Sequence, residues 1–258
     1  MSKQPSQQAE PQESAQQSGF ASVPLVGQGI KASQTRWHFD DDVPDRFDEH
    51  VRRSVPFYDQ GHHLVVQLAD FFVGSNSLIY EFGCSTGTLT RALAQRIADQ
   101  DARIVAVDLA PEMVELARQR CQGFDHVRVE VGDLVELELQ PTDLVIAYYT
   151  IQFVRPCFRQ MLFDRIYAAL NWGGALLMFE KVRAPDARFQ DQMTQLYTDF
   201  KIQQGFNEAE ILAKTRSLKG VLEPFSTQGN LDLMRRAGFV DVMTVYKYIC
   251  FEGFLAIK

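Results

Sequence analysis

The segment Leu78–Thr88, LIYEFGCSTGT, constrains the fold more than any other part of the sequence. A short apolar run surrounds Glu81, and Gly83 and Gly87 follow four residues apart. The run predicts a strand, and the glycines predict a tight turn with backbone angles or close contacts denied to other residues. A helix that begins after this turn would offer unpaired N–H groups to a ligand. The segment therefore predicts a strand, a loop and a helix around a binding site.

The chain downstream alternates strand-like and helix-like segments. Strands are predicted over 78–82, 103–107, 127–131, 143–148 and 175–179, and helices over 89–97, 111–121 and 158–170. This alternation indicates a parallel sheet with helices on both faces. A long helical stretch over about 185–219 and a helix near 227–237 then precede two strand-like runs, 240–247 and 250–257, which predict a terminal antiparallel pair.

Composition divides the chain into a tail and one domain. Residues 1–36 are rich in Gln, Ser and Pro and poor in aromatics, which predicts a disordered tail. Residues 37–258 are expected to form a single domain. Within it, 37–74 is predicted to form a helical cap over the site, and 183–221 a helical lid or a subunit interface.

Charge and apolar patterning narrow the classes of partner. The formal net charge of the 258 residues is -7, which argues against nucleic acid as a partner and favours small molecules. No apolar run approaches the roughly 20 residues of a membrane span, and the N-terminus lacks a signal-peptide pattern. We therefore expect a cytoplasmic protein without a membrane segment.

Neither the cysteines nor the histidines are spaced as metal ligands. The histidines form no HxxxH or HExxH pattern, and the adjacent His62 and His63 would point in different directions on a helix. The cysteines are scattered without a CxxC pair, at Cys84, Cys121, Cys157 and Cys250. We expect four reduced thiols and no metal site.

Polar residues follow the predicted strands at their carboxyl ends. Asp108 ends the second strand, where a carboxylate can accept hydrogen bonds from both ribose hydroxyls. Asp133, beside Leu134, follows the third strand and could accept from an adenine amine. Tyr148 and Tyr149 come at the end of the fourth. Each acid alone would be an ordinary loop residue, but together they predict an adenosine-binding crevice.

Glu81 separates two classes of adenosine ligand. A dinucleotide brings a pyrophosphate, which a carboxylate beside the loop would repel. S-adenosylmethionine instead brings an ammonium and a sulfonium, which Glu81 would attract. A strict GxGxxG is also absent, because Ser85 stands at the middle glycine. The terminal strand pair agrees with the Rossmann-like methyltransferase sheet, which has seven strands, mostly parallel with a terminal antiparallel strand.

Several short segments between about 37 and 258 match a known family. They are Arg53-Ser54-Val55-Pro56 with Tyr58, Gly83-Cys84-Ser85, Thr150-Ile151-Gln152-Phe153, Leu170-Asn171-Trp172-Gly173-Gly174-Ala175-Leu176, Glu180-Lys181, Asp199-Phe200-Lys201 and Arg236-Ala237-Gly238-Phe239. Through them the chain resembles the class I S-adenosylmethionine-dependent methyltransferases. It resembles more closely the carboxy-S-adenosylmethionine synthases, which make a carboxylated cofactor from prephenate for tRNA uridine modification. This resemblance implies a homo-oligomer, expected to be a dimer.

The resemblance also implies roles for individual residues. Tyr58 would close over the cofactor, Gly83 and Ser85 would contact its methionine part, and Asp108 would bind the ribose. Asp133 and Leu134 would lie beside the adenine. The remaining residues expected in the cofactor site are Glu81, Cys84, Gly87, Leu109 and Tyr148.

Two positions depart from the synthase pattern. The synthases have an asparagine where this chain has Tyr148, and an arginine where it has Thr215, after the lysine equivalent to Lys214. In the family that arginine pairs with the extra carboxylate of the cofactor. Arg216 lies one residue further on, and on a helix it would point about 100° away.

Three functions remain open from the sequence. The first is methyl transfer from S-adenosylmethionine to a small, aromatic or planar acceptor, in a pocket lined by Tyr58 and Tyr148. The second is the synthase reaction, with carboxy-S-adenosylmethionine as product and Arg216 holding a carboxylate. The third is a non-catalytic module that binds the cofactor.

No catalytic base stands out in the sequence. The candidates are His62, His63, Glu180 and the hydroxyl of Tyr148. Tyr149 is expected to pack as a core aromatic, on the opposite side of the strand from Tyr148.

Overall fold

The structure, a computed structural model, describes the backbone of residues 30–33, 36–39 and 43–258, and side chains from residue 46 onward. The tail predicted for 1–36 lies mostly outside these residues. Its described part forms β1 (Ile30–Ser33), which pairs antiparallel with β2 (Arg36–Phe39), the strand that begins at the last residue of the predicted tail. The segment predicted as a helical cap from residue 37 therefore begins with a strand, and its helices start at residue 43.

The remaining elements follow the predicted alternation. After β2 come α1 (Val43–Ser54), α2 (Tyr58–Ala69), β3 (Leu78–Phe82), α3 (Thr88–Arg96), β4 (Arg103–Asp108), α4 (Pro111–Arg120), β5 (Val127–Val131), β6 (Thr142–Tyr148), α5 (Pro156–Ala169), β7 (Leu170–Lys181), α6 (Ala187–Gln203), α7 (Glu208–Ser217), α8 (Thr227–Ala237), β8 (Asp241–Tyr248) and β9 (Phe251–Ile257). A short 3₁₀ turn, Ile151–Phe153, lies between β6 and α5. None of the described helices combines the length and apolarity that crossing a bilayer requires.

The large sheet has seven strands in the order β5-β4-β3-β6-β7-β9-β8. The first five are parallel, and β9 pairs antiparallel with both β7 and β8. This confirms the predicted methyltransferase-type sheet. The chain moves outward from β3 to β5 and then returns to β6, so β3 and β6 flank the point where the strand order reverses. In open α/β sheets, ligands bind at the carboxyl ends of the strands that flank this point.

Strand β3 is buried along its whole length between two layers of side chains. Ile79 packs into the core on one face of the sheet, while Tyr80 and Phe82 pack into the core on the other. Central parallel strands are covered by helices on both faces, which explains the nearly continuous apolar run. Glu81 is the exception, because it carries an ionisable group into this buried position.

The long helical stretch predicted over 185–219 divides into two helices. Gly205 has a left-handed φ of 85°, and Asn207 caps α7 by accepting a hydrogen bond from the backbone of Glu210. The Asn207 N–H in turn donates to the Glu210 carboxylate, so the second helix has a complete start signal of its own. Neither α6 nor α7 contains a fully buried residue.

Asp48 joins α1 to the loop after β3. Its carboxylate accepts a hydrogen bond from the Thr86 hydroxyl at 2.6 Å and pairs with Arg120 of α4 at 2.8 Å. The Thr88 hydroxyl at the start of α3 also contacts Asp48 and Arg120. Since this carboxylate lies at the N-terminus of α3, the helix dipole also favours its charge.

The corner between α1 and α2 is held by tyrosines from three other elements. The hydroxyls of Tyr197, Tyr246 and Tyr148 donate to the carbonyl oxygens of Ser54, Pro56 and Tyr58, at 2.9, 3.0 and 2.8 Å respectively. The three carbonyls belong to every second residue of this corner. Phe57, between the last two, has a left-handed φ of 55°. The corner that carries Tyr58 is therefore fixed to β6, α6 and β8.

We predict that Asp48→Ala lowers the free energy of unfolding by about 1–3 kcal/mol, because it leaves Arg120 and two threonine hydroxyls without their shared acceptor. Urea denaturation measures the change. Glu49→Ala removes an exposed carboxylate from the same helix and is the matched control, expected to change stability by less than about 0.5 kcal/mol. Equal losses in the two variants would contradict the anchoring role of Asp48.

Candidate functional site

The loop between β3 and α3 turns through three left-handed residues. Gly83, Ser85 and Gly87 have φ values of 71°, 50° and 76°. The N–H groups of Gly83 and Cys84 both donate to the carbonyl of Val107 on β4, which holds the loop against the neighbouring strand. A Cβ at Gly83 would collide with the side chain of Thr150, so this position requires glycine for space as well as for its backbone angle.

Glu81 places a buried carboxylate beside this loop. Its side chain is 2% exposed, and its Oε2 atom has no hydrogen-bond partner among the described residues. Burial raises the pKa of the carboxyl to about 8, the nearby Thr90 hydroxyl opposes the rise, and the charge of Asp108 adds to it. A buried acceptor without a partner is unfavourable unless a ligand completes it. The position therefore fits a ligand cation, such as the ammonium of a bound amino acid.

Asp108 is held in place at the end of β4. Its carboxylate accepts hydrogen bonds from the N–H groups of Ser85 at 2.8 Å and Ala110 at 3.0 Å. Burial raises the pKa of this carboxyl, while the backbone N–H bonds oppose the rise. The two bonds orient the carboxylate toward the loop and leave it further acceptor capacity, so it can receive hydroxyl groups of a ligand.

The other two strand-end positions have different surroundings. Leu109 is half exposed after β4. Asp133 is exposed and accepts the N–H of Val135 at 2.8 Å, and Leu134 beside it packs into the core. A role of Asp133 and Leu134 beside an adenine stays a prediction.

Three aromatic rings form an uncharged cluster, here called the aromatic wall, made of Tyr58, His62 and Tyr148. The ring centroids lie 4.5 Å apart for Tyr58 and His62, 4.6 Å for His62 and Tyr148, and 5.3 Å for Tyr58 and Tyr148. Burial lowers the pKa of His62 to about 4, so its imidazole is neutral at neutral pH. A Cβ at Gly61 would collide with the Tyr148 hydroxyl, so the ring of Tyr148 lies directly against the α2 backbone.

Tyr149 does not face away from Tyr148, so that expectation was wrong. Strand β6 ends at Tyr148, and Tyr149 has a left-handed φ of 58°, which ends the alternation of side chains. Its ring lies 4.7 Å from that of Tyr148 and 5.7 Å from that of Phe251, between centroids. Tyr149 is a packed core aromatic, as expected, but on the same side of the sheet as Tyr148.

The candidate bases occupy unlike surroundings. His62 is buried in the aromatic wall, whereas His63 is exposed on the other side of α2. Glu180 is 2% exposed, and burial raises its pKa to about 8. Arg159 and the backbone N–H groups of the 3₁₀ turn oppose that rise, so Glu180 supports the turn that follows β6.

Of the two positions that depart from the synthase pattern, Tyr148 ends β6 and Thr215 lies on α7. Thr215 is exposed, and its hydroxyl donates to the carbonyl of Ile211 in its own helix at 2.8 Å. Arg216 is exposed too, and none of the described contacts joins it to Tyr58 or Tyr148. Lys214, before them, is half-buried, and burial lowers its pKa to about 8.

A cavity of about 370 Å³ adjoins Tyr58. It lies between the α1–α2 corner, the end of α6 and the turn before β9. Its lining residues are Arg52, Phe57, Tyr58, Asp59, Gln60, Phe200, Gln203, Gln204 and Tyr248. Its volume falls within the range of small-molecule pockets.

Sequence reasoning missed two supporting residues. Thr90 lies beside the Glu81 carboxyl and lowers the pKa of that group. Thr150 fills the space beside Gly83, and its hydroxyl donates to the carbonyl of Phe82 at 2.8 Å. Thr90 left a signal, because it is a polar residue on the otherwise apolar face formed by Leu89 and Leu93 of α3. Thr150 left none beyond its position after a strand.

Comparisons with known proteins identify the fold. Residues 79–174 match the family model described as a methyltransferase domain. Human N-acetylserotonin methyltransferase in complex with S-adenosylmethionine superposes with a TM-score of 0.58 at 19% identity, covering 85% of this chain and 56% of that one. Phosphoethanolamine N-methyltransferase 2 of Haemonchus contortus, also bound to S-adenosylmethionine, gives 0.61 at 15% identity, covering 85% and 57%. These neighbours support the fold.

Curated relatives cover nearly the whole domain. The carboxy-S-adenosyl-L-methionine synthase of Campylobacter lari is 35% identical over 230 residues, which are 88% of this chain and 97% of the relative. The synthase of Sulfurimonas denitrificans is 31% identical over 229 residues, with the same shares of each chain. At this identity and coverage, the chain belongs to the carboxy-S-adenosyl-L-methionine synthase family of methyltransferase-fold proteins.

Proposed function

We propose that this protein is an S-adenosylmethionine-dependent methyltransferase whose acceptor is a small aromatic or planar molecule. The observation that carries the proposal is the aromatic wall of Tyr58, His62 and Tyr148, which presents uncharged rings where the synthase pattern has an asparagine in place of Tyr148. Such a surface favours a planar acceptor, since aromatic rings stack or meet edge to face.

The residues around the loop fit the cofactor. Glu81 would take the ammonium of its methionine part, because its buried oxygen has no other partner among the described residues. Asp108 would accept the ribose hydroxyls, and Asp133 and Leu134 would contact the adenine. Tyr58 would cover the cofactor. The loop residues Gly83, Cys84, Ser85 and Gly87 would complete the site, with Leu109 and Tyr148.

The protein contributes orientation and exclusion of water more than proton transfer. Bound S-adenosylmethionine supplies an electrophilic methyl group on a sulfonium. The Tyr148 hydroxyl donates to the Tyr58 carbonyl, which holds it in place. Its oxygen can still accept a hydrogen bond from the molecule that is to be methylated. His62 is neutral and can accept a proton only weakly, so positioning supplies most of the rate enhancement.

The alternative is the synthase reaction, with prephenate as substrate. The named activity of the relatives favours it. A carboxylated cofactor calls for a cation, however, and Thr215 supplies none. Arg216 would have to replace the family's arginine from an exposed position on α7. A non-catalytic module is a further alternative, which failure to bind S-adenosylmethionine would support.

Mass spectrometry of the small molecules released by denaturing freshly purified protein separates these functions. We expect S-adenosylmethionine or its demethylated product from the wild type. We expect Thr215→Arg to gain affinity for added carboxy-S-adenosylmethionine, because it restores a charge-assisted pair. Release of the carboxylated cofactor by the wild type would overturn methyl transfer and establish the alternative.

Glu81→Gln is predicted to weaken the binding of S-adenosylmethionine at least about tenfold, because it removes the charged partner of the ammonium. In the wild type, affinity should increase with pH up to the carboxyl pKa of about 8, since the ligand selects the ionised form. The slope should not exceed about tenfold per pH unit. Titration calorimetry between pH 6.5 and 8.5 measures both effects.

Without ligand, Glu81→Gln should have a higher free energy of unfolding than the wild type. The folded pKa of Glu81 lies above its ordinary value of 4.5, so the wild type loses stability relative to the variant as pH rises from 4.5 to 8. Glu112→Gln, an exposed change on α4, is the matched control and should alter neither property. Unchanged affinity in Glu81→Gln would contradict the assigned role.

The helices α6 and α7 favour a homodimer. They contain no fully buried residue and expose Phe189, Leu196, Ile202 and Leu212 by 43–55%. We expect Leu196→Glu to shift sedimentation from dimer to monomer, because a charge would enter an apolar interface. Trp172→Glu alters an exposed apolar side chain at the other end of the sheet and should have no effect. A monomeric wild type would contradict the dimer.

A further inference from the structure

Two lysines lie on one tyrosine ring at the carboxyl end of the sheet. Lys181 ends β7, and its Nζ lies 4.3 Å from the centroid of the Tyr197 ring. Lys201 follows Tyr197 by one turn of α6, and its Nζ lies 4.5 Å from the same centroid. Both belong to segments through which the chain resembles its family, Glu180-Lys181 and Asp199-Phe200-Lys201. The chemistry proposed above gives them no task.

Neither ammonium has a carboxylate or other hydrogen-bond acceptor within the part of the chain that the structure describes; the Tyr197 ring is their shared contact. Burial lowers the pKa of Lys181. Burial and the charge of Lys181 lower the pKa of Lys201 to about 8. Cys250 lies near both, but burial raises the pKa of its thiol, so it does not neutralise them at neutral pH. Two like charges thus share a partly desolvated position, which an aromatic face compensates only in part.

The position of this pair relates it to the site. In the sheet order, β4 and β3 carry Asp108 and Glu81, β6 carries Tyr148, and β7 comes next. The lysines therefore lie across Tyr148 from the residues assigned to the cofactor. Tyr197 joins the pair to the aromatic wall.

Contacts of Tyr197 make this connection. Its hydroxyl donates to the carbonyl of Ser54 in the corner that carries Tyr58. Its ring lies 5.2 Å from that of Phe251, which lies 5.7 Å from the ring of Tyr149. Tyr149 in turn contacts Tyr148 at 4.7 Å. An aromatic path thus runs from the wall to the two cations.

We propose that Lys181 and Lys201 form an anion subsite that binds a carboxylate carried by the acceptor. The aromatic rings would contact the body of the molecule, and the two ammonium groups would pair with its carboxylate. Such a ligand would relieve the repulsion between the lysines and supply the partner that they lack. The inference rests on the proposed function, because it places the subsite on the acceptor side of Tyr148.

Titration of the protein loaded with S-adenosylhomocysteine tests this subsite, with benzoate as the anionic probe and benzamide as its neutral match. Benzoate should bind the wild type, and its affinity should fall at least about tenfold in Lys181→Gln and in Lys201→Gln, because each removes one charge-assisted contact. Benzamide should bind all three proteins alike. Lys219→Gln, an exposed change after α7, is the matched control and should behave as the wild type.

The arms of the experiment separate its outcomes. Equal affinity of benzoate for the wild type and both variants, or no binding, would overturn the subsite if S-adenosylhomocysteine still binds. Sulfate is added as a competitor of benzoate. If sulfate binds as tightly as benzoate does, the lysines form a general anion site, and the proposal that they bind a carboxylate of the acceptor is overturned. Loss of S-adenosylhomocysteine binding by the wild type would instead count against the proposed function. Lys201→Arg keeps the charge and should retain benzoate.

Discussion

The carboxylate of Glu81, buried and without a hydrogen-bond partner for one oxygen among the described residues, is the constraint around which this site is built. A central strand of an α/β sheet ordinarily excludes an ionisable group, and the raised pKa shows that the charged form is disfavoured in the free protein. Ligand binding can convert this stored free energy into affinity for a cation.

The helices α1 and α2, which are predicted to cap the site, are held by contacts from distant parts of the chain. Asp48 docks α1 on the loop, and three tyrosine hydroxyls hold the corner that leads into Tyr58. One of these hydroxyls belongs to Tyr148, so the aromatic wall and the α1–α2 corner share a hydrogen bond. A change at Tyr148 would therefore alter both the surface offered to an acceptor and the position of Tyr58.

Local patterns were sufficient to predict much of the fold. The apolar run before Gly83, the alternation that follows and the two terminal runs predicted the parallel sheet with its antiparallel end. These patterns were sufficient because the burial of a strand and the formation of a turn depend mainly on residues that are close in sequence. The same strand-end positions predicted that Glu81 and Asp108 lie together. Their roles toward the cofactor remain proposals.

Three features were not predicted, and two of them, the side on which Tyr149 packs and the contact of Asp48, depend on tertiary context. Tyr149 has a left-handed backbone conformation, which a tyrosine rarely adopts. The alternation of side chains along a strand therefore predicted the wrong side of the sheet for its ring. The division of the helical insertion between α6 and α7 was missed although Gly205 and Asn207 carry the turn and cap signals. Asp48 lies 38 residues before Thr86, and no spacing predicts that contact.

The pKa of the Glu81 carboxyl, measured by carbon-13 NMR with and without S-adenosylhomocysteine, tests the central claim most directly. That ligand keeps the ammonium but lacks the sulfonium, so it isolates the proposed contact. The account predicts a pKa near 8 in the free protein and a marked fall on binding, because the ammonium stabilises the ionised form. A pKa near the ordinary 4.5 in the free protein, or one that binding leaves unchanged, would contradict it.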